Sequence, residues 1–262
     1  MTTFKCGRRA GQAIAVLLIL AAGAASASAQ SVHALTLRDH EQLLHLYGPA
    51  DGTPVIVSSG DGGWFHLGPH VADLLAARGF FVVGFDAKAY LEGFTTERSA
   101  LRMSEAPGDY QALAAFAAAA TGRKPILIGV SEGAGLSVLA ATDPATQAAI
   151  GGVIGIGLPD VNELGWRWKD SLTYFTHRPP NEPVFSAVAV VSGVAPLPLA
   201  LVQSTHDDFV PLADTRRIFD RASPPKRLWV VDAANHRFSN SLPEFDARLL
   251  EAIEWVRHNR PW

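Results

Sequence analysis

The segment Gly129-Val130-Ser131-Glu132-Gly133 constrains this chain more than any other. The apolar run Pro125-Ile126-Leu127-Ile128 stands directly before it, and the small-residue stretch from Ala134 to Ala141 follows. The pattern predicts a strand, a sharp turn and a helix, with the serine at the turn. Glycines two before and two after the serine let the backbone bend tightly enough to lift the hydroxyl out of a sheet. A serine presented in this way calls for an acid after a later strand and a histidine after the strand beyond that. Asp207, in Ser204-Thr205-His206-Asp207-Asp208-Phe209-Val210-Pro211, and His236, in Ala233-Ala234-Asn235-His236-Arg237-Phe238, stand in those places.

Around this turn, apolar runs alternate with helical stretches. Strands are expected over 54–58, 80–85, 125–130, 151–158, 199–203 and 227–231, and helices over 67–78, 110–120, 211–222 and 243–258. Continuous Val/Ile/Leu strands separated by helices indicate a parallel sheet covered on both faces. Residues 32–37 and 43–47 are expected as an antiparallel pair at one edge. With the chain order serine, acid, histidine, the class is the α/β-hydrolase fold, a mostly parallel sheet with helices on both faces. The stretch 159–196 breaks the alternation and carries Trp166, Trp168, Tyr174, Phe175 and Phe185. Long insertions in compact domains are usually functional or disordered, and the aromatic content argues against disorder. A short lid or pocket wall is one expectation; a packed excursion that touches no substrate is the other.

The first 29 residues read as a secretory signal. Lys5, Arg8 and Arg9 form a positive start, 13–25 is an apolar run, and Ala27-Ser28-Ala29 is a small-residue cleavage pattern. The apolar run is short for a membrane span. A secreted or periplasmic product is expected, with cleavage after Ala29. Cys6 precedes the apolar run, which is the wrong place for a lipoprotein signal. Removing residues 1–29 from the 262 leaves 233, a single domain over 30–262. Cys6 is the only cysteine, so a thiol nucleophile and thiolate metal sites are excluded from the mature chain. Losing three of 22 cationic side chains against 25 acids gives the mature chain a net charge of −6. With no basic stripe, nucleic acid is not an expected partner.

A serine hydroxyl is a weak nucleophile at neutral pH and needs a base. His236 can act only in the correct tautomer, which Asp207 would fix. Asp207 is preferred to Asp208 because Asp207-Asp208-Phe209-Val210-Pro211 has the D-x-x-V-P pattern; Asp208 is then expected to cap the helix that starts near Pro211. The charge that builds on an attacked carbonyl oxygen needs donors. The backbone N–H of Glu132 is one, and the glycine-rich loop Ser58-Ser59-Gly60-Asp61-Gly62-Gly63-Trp64 offers Gly60 or Asp61 for the other. The loop lacks the lysine and hydroxyl of a P-loop. His66 and His70, four apart, are expected on a solvated helix face. No metal or cofactor is expected.

Ser59-Gly60-Asp61-Gly62-Gly63-Trp64, then Val83-Gly84-Phe85-Asp86, then the serine turn, together with Asn235-His236-Arg237-Phe238-Ser239, resemble the VirJ/AcvB-type periplasmic α/β-hydrolases. The resemblance implies Ser131, Asp207 and His236 as a triad, a link to virulence, and hydrolysis of aminoacylated phosphatidylglycerol. The chain departs from that pattern at Glu132, where an aromatic is more usual, and over 166–185.

The function expected is hydrolysis of a carboxylic ester through an acyl-enzyme, with an ester substrate as the partner and a membrane lipid as one candidate for it. Trp64, Asp86, Trp166 and Trp168 are expected to contact it, and Asp61, Asp86 and Glu132 to pair with the ammonium group of an aminoacyl ester. A general small-ester or lipase-like esterase and a non-catalytic envelope interaction module are the alternatives.

Overall fold

The central strands carry apolar side chains in succession, and the reason is that both sides of the sheet are covered. In β3 (Thr53–Ser58), Val55 and Val57 face one core and Ile56 the other. In β5 (Ile126–Val130), Ile126 and Ile128 face the first of these and Leu127 the second. Alternation of side chains along a strand turns a continuous apolar run into two apolar faces.

The computed structural model describes residues 1, 31–167, 170 and 182–260. The expected signal segment therefore lies outside the described residues apart from Met1. From the amino end the chain runs β1 (Ser31–Leu37), β2 (His40–Tyr47), β3, α1 (Leu67–Ala76), β4 (Phe80–Phe85), α2 (Ala87–Phe94) and α3 (Ala106–Thr121). It continues through β5, α4 (Glu132–Ala140), α5 (Pro144–Ala149), β6 (Val153–Ile156), β7 (Val161–Glu163), β8 (Val184–Ser186) and α6 (Ala187–Val190). It closes with β9 (Leu199–Ser204), α7 (Leu212–Arg221), β10 (Lys226–Val231) and α8 (Leu242–Asn259).

Eight strands form one sheet in the order β1-β2-β4-β3-β5-β6-β9-β10. β1 and β2 are antiparallel to each other, and β2 is antiparallel to β4; the other neighbours are parallel. The edge pair expected near the amino end is thus present. Its turn is Arg38-Asp39, both at positive φ, as a two-residue primed hairpin turn requires. Arg38 also reaches back to α3, where its Nη2 donates to the buried Asp109 at 2.7 Å.

The helices divide between the two faces. Val71, Ala72 and Leu75 of α1 pack with Phe245, Leu249, Ala252, Ile253 and Val256 of α8 on one side. Leu113, Ala114 and Ala117 of α3, Leu136 and Leu139 of α4, and Ile218 of α7 form the other. Parallel strands put the carboxyl ends of β3, β4, β5, β6, β9 and β10 at one end of the molecule, where open α/β sheets bind ligands.

Candidate active site

Ser131 follows β5 directly and starts α4 with φ 50° and ψ −117°. A non-glycine residue held in that region stores on the order of 1–3 kcal/mol and persists only where its surroundings over-determine it. The flanking glycines supply that setting. A Cβ on Gly129 would come within 2.3 Å of Ala134 Cα, and one on Gly133 within 2.3 Å of Ser59 O. Hydrogen bonds fix the turn from both sides: Ser131 N–H donates to Ile156 O at 2.8 Å, and Ser131 O accepts from Ala134 N–H at 2.8 Å.

Asp207 lies beyond the end of β9 and His236 beyond the end of β10, at the same end of the sheet as Ser131. His236 Nδ1 is 2.6 Å from Asp207 Oδ2. A carboxylate only accepts, so Nδ1 carries the proton and Nε2 is left as the basic nitrogen. Burial by itself would raise the Asp207 carboxyl. The hydrogen bond and charge of His236, with the N–H groups of Val210 and Phe209, hold it below the ordinary range instead. The His236 ring lies against Gly157, where a Cβ would stand 2.5 Å from Cε1. Gly157 follows Ile156, whose carbonyl holds Ser131, so serine and ring flank the same corner of β6.

The cap expected of Asp208 is not made. Helix α7 begins after Pro211 without a side-chain cap, and Asp208 Oδ1 accepts from His236 N–H at 3.4 Å. Pro211 offers no side-chain acceptor, and Asp208 is drawn to the histidine loop instead. His66 is exposed and His70 is partly exposed, and the His70 Nε2 also lies 2.7 Å from Asp246 Oδ1 of α8.

The Ser58–Trp64 loop brings Gly60 against Ser131. A Cβ at Gly60 would stand 3.3 Å from Ser131 Cβ. Two residues of this region expected to touch substrate instead build the loop. The Trp64 ring lies on Gly84 of β4, where a Cβ would come within 2.3 Å of it. It stacks on His45 at 5.0 Å and donates from Nε1 to Tyr47 Oη at 3.2 Å. Trp64 is 9% exposed and belongs to the core. Asp86 caps α2 by accepting from Ala89 N–H, and its other oxygen accepts from Trp64 N–H at 3.0 Å. Ser59 Oγ adds a 3.4 Å bond to the same carboxylate. Sequence patterning cannot distinguish an acid that caps a helix from one that faces a ligand, and here Asp86 is engaged by the cap and the loop.

Glu132 is also corrected as an ammonium partner. Its side chain is buried, and Oε1 accepts from Glu163 N–H of β7 at 2.7 Å. Burial, then the neighbouring Glu163 and Asp61, push its carboxyl well above the ordinary range, which disfavours the charged form. Glu163 is pushed up to about 8 by burial, then by Asp61 and Asp170. Asp61 and Glu163 are therefore the acids gathered beside the serine turn, and Glu163 was not singled out in the sequence.

Within the described part of the 159–196 stretch, Trp166 and Phe185 are packed while Val161 and Val184 are exposed. Trp166 is 2% exposed, within the core, rather than lining an open wall. Its N–H donates to Thr95 Oγ1 at 3.1 Å, and Lys88 Nζ lies 5.7 Å from its ring centre. Asp160 accepts from Ser186 Oγ at 2.6 Å and from Arg217 of α7 at 2.9 Å. The expected contact from Trp168 lies outside the described residues.

Gln203, the buried polar residue of β9, was also missed. It donates from Nε2 to Asp207 Oδ2 at 2.9 Å and to Val210 O at 2.8 Å. Its signal was present: a glutamine inside an apolar parallel strand is unusual without a partner. Among the described residues no three His, Cys, Asp or Glu side chains are grouped to hold a metal, and no helix is long and apolar enough to cross a membrane.

Residues 52–158 match the family model described as bacterial virulence protein (VirJ). That stretch contains the Gly60–Trp64 loop, the β4 motif and the serine turn; Asn235–Ser239 lies outside it. Comparison with the curated proteins gives no match. Among solved structures, the chain is similar to an esterase of Pyrococcus furiosus, with TM-score 0.66 and 18% identity over 87% of this chain and 91% of that one. It is similar to the α/β hydrolase GrgF of Penicillium, with TM-score 0.65 and 13% identity over 89% of this chain and 100% of that one. A membrane phospholipase A described as a bacterial virulence factor gives TM-score 0.60 and 14% identity, covering 87% of each chain. At such identities the likeness concerns the fold, and the fold is that of the α/β-hydrolases.

Proposed function

We propose that this chain, an α/β-hydrolase fold with a VirJ family match, is an exported serine hydrolase that cleaves a carboxylic ester. The observation that carries the reading is the 2.6 Å contact between His236 Nδ1 and a carboxylate that also receives the N–H groups of Phe209 and Val210 and the amide of Gln203. A surface or capping histidine has no use for an acid so fully oriented. Ser131 Oγ attacks the ester carbonyl while His236 Nε2 takes its proton. The backbone N–H of Glu132, with Gly60 or Asp61, receives the charge on the carbonyl oxygen. The imidazolium returns the proton to the leaving alcohol, and an acyl-enzyme remains. Water then attacks the acyl carbon with His236 again as base, releasing the acid and Ser131.

The substrate class we favour is an aminoacyl ester, lipid-linked in the cell envelope. Asp61 and Glu163 place two carboxyl groups at the serine turn. Because Glu163 is held up to about 8, an arriving ammonium group would favour its ionised form, and binding would release a proton. A fluorophosphonate probe is expected to label the wild-type protein and not Ser131→Ala. Absence of labelling in folded wild type would overturn the enzyme reading. Aminoacyl-phosphatidylglycerol is expected to be cleaved with higher kcat/KM than p-nitrophenyl esters, with the preference lost in Asp61→Asn. Equal rates on both classes would leave a general esterase.

A further inference from the structure

The residue after the nucleophile has two parts, and the proposed reaction uses only its backbone N–H. Its side chain is buried beneath the turn, 5% exposed for the residue as a whole. It ends on the N–H of Glu163 at 2.7 Å. That N–H belongs to β7, which pairs with β8 in the register Glu163↔Val184. The same short hairpin presses on α4 a second time: the buried Asn162 sits over Gly135, so closely that a Cβ there would lie 1.8 Å from its Oδ1. The hairpin is therefore docked on the first turn of the nucleophile helix at two points, one of them the Glu132 carboxyl.

Ser131 is in a backbone conformation that relaxes unless its neighbours prevent it. On the Gly133 side the turn is wedged against Ser58 O and Ser59 O. On the other side, Glu132 is the side chain nearest in sequence that anchors it. We infer that the Glu132 side chain is a positioning residue for the reaction at Ser131. Its carboxyl ties the nucleophile turn to the β7–β8 hairpin and thereby holds the Glu132 N–H where the oxyanion forms. The inference rests on the serine-hydrolase reading above.

What the joint needs is an acceptor of the right length. The Glu132 carboxyl meets that need through Oε1, and a glutamine amide has the same shape and offers the same acceptor. Glu132→Gln is thus expected to keep kcat within about threefold of wild type, whereas Glu132→Ala is expected to lower kcat by about 10–100-fold with KM changed less than about twofold. A misplacement of about 1 Å at a reacting group can cost 10²-fold, and it acts on kcat rather than on substrate binding.

The experiment is steady-state kinetics on one ester substrate for wild type, Glu132→Gln, Glu132→Ala and Ser131→Ala, with fluorophosphonate labelling of each folded protein. Loss of kcat in the alanine variant together with its rescue by glutamine supports the inference. An alanine variant that keeps wild-type kcat overturns it, as does a glutamine variant as impaired as alanine, or a loss confined to KM. If Glu132→Ala does not fold, Glu132→Leu, which keeps the bulk and removes the acceptor of the same bond, is held to the same outcomes. A wild type that is folded but unlabelled overturns the hydrolase reading and this inference with it. Labelling that depends on Ser131 beside an unaffected alanine variant overturns this inference alone.

Discussion

Gln203 shows how much of the site depends on single side chains that carry no motif. It is wholly buried, and its amide holds both the Asp207 carboxylate and the Val210 carbonyl that follows it. Gln203→Leu keeps the volume and removes the donor. A hydrogen bond to a charged group contributes about 1.5–3 kcal/mol, so kcat is expected to fall roughly 10–100-fold with KM little changed, measured on the purified variant. At this scale the Ser131 turn and the Asp207–His236 contact were legible, because serine, aspartate and histidine each follow a strand in the chain order that the turn calls for. Trp64, Asp86 and Trp166 were not legible. An aromatic or an acid near a site has the same letter whether it faces substrate or supports a loop, and only its neighbours decide. For Trp64 the neighbour is Gly84, and for Asp86 it is the first turn of α2.

At the scale of elements, helix α4 is built for close approach on two sides. Gly133 lets it meet the end of β3, and Gly135 lets it meet β7. Gly135→Ala forces a Cβ to within 1.8 Å of Asn162 Oδ1. Overpacking of this kind costs about 1–3 kcal/mol, which lowers Tm by roughly 2–12 °C in a chain of this size. Gly62→Ala is the control. A Cβ there meets nothing within 4 Å, so thermal melting of that variant is expected to match wild type. The strands and long helices were readable to within a few residues, since apolar runs and helical stretches have distinct periods. The β7–β8 hairpin was not. Its strands are three residues each and lie twenty residues apart in sequence, and so short a strand shows no alternation to detect. It is held by Asn162, Asp160 and Glu132 through contacts that exist only after the sheet has formed.

For the molecule as a whole, acids at the serine end of the sheet link stability to pH. Glu163 is held up to about 8 in the folded chain against an ordinary value near 4.3. Between those values the unfolded chain has released the proton and the folded chain keeps it, so stability falls as pH rises through that window. Asp207 has the opposite sign: held low by its partners, it contributes stability above the ordinary aspartate value near 3.9 and loses it as pH falls. Glu163→Gln is therefore expected to raise Tm at pH 8.5 and to leave it unchanged at pH 4, read by thermal melts at both. By itself the sequence determined the parallel sheet, the edge hairpin, the serine turn and the chain order of serine, acid and histidine. These follow from side-chain periodicity and from glycines that only a tight turn or a close contact requires, and both are local properties. Tertiary structure decided which of the acids are spent on structure and which remain beside the serine. That outcome depends on burial and on charges brought together from β3, α4 and β7, and no stretch of sequence carries the distance between them.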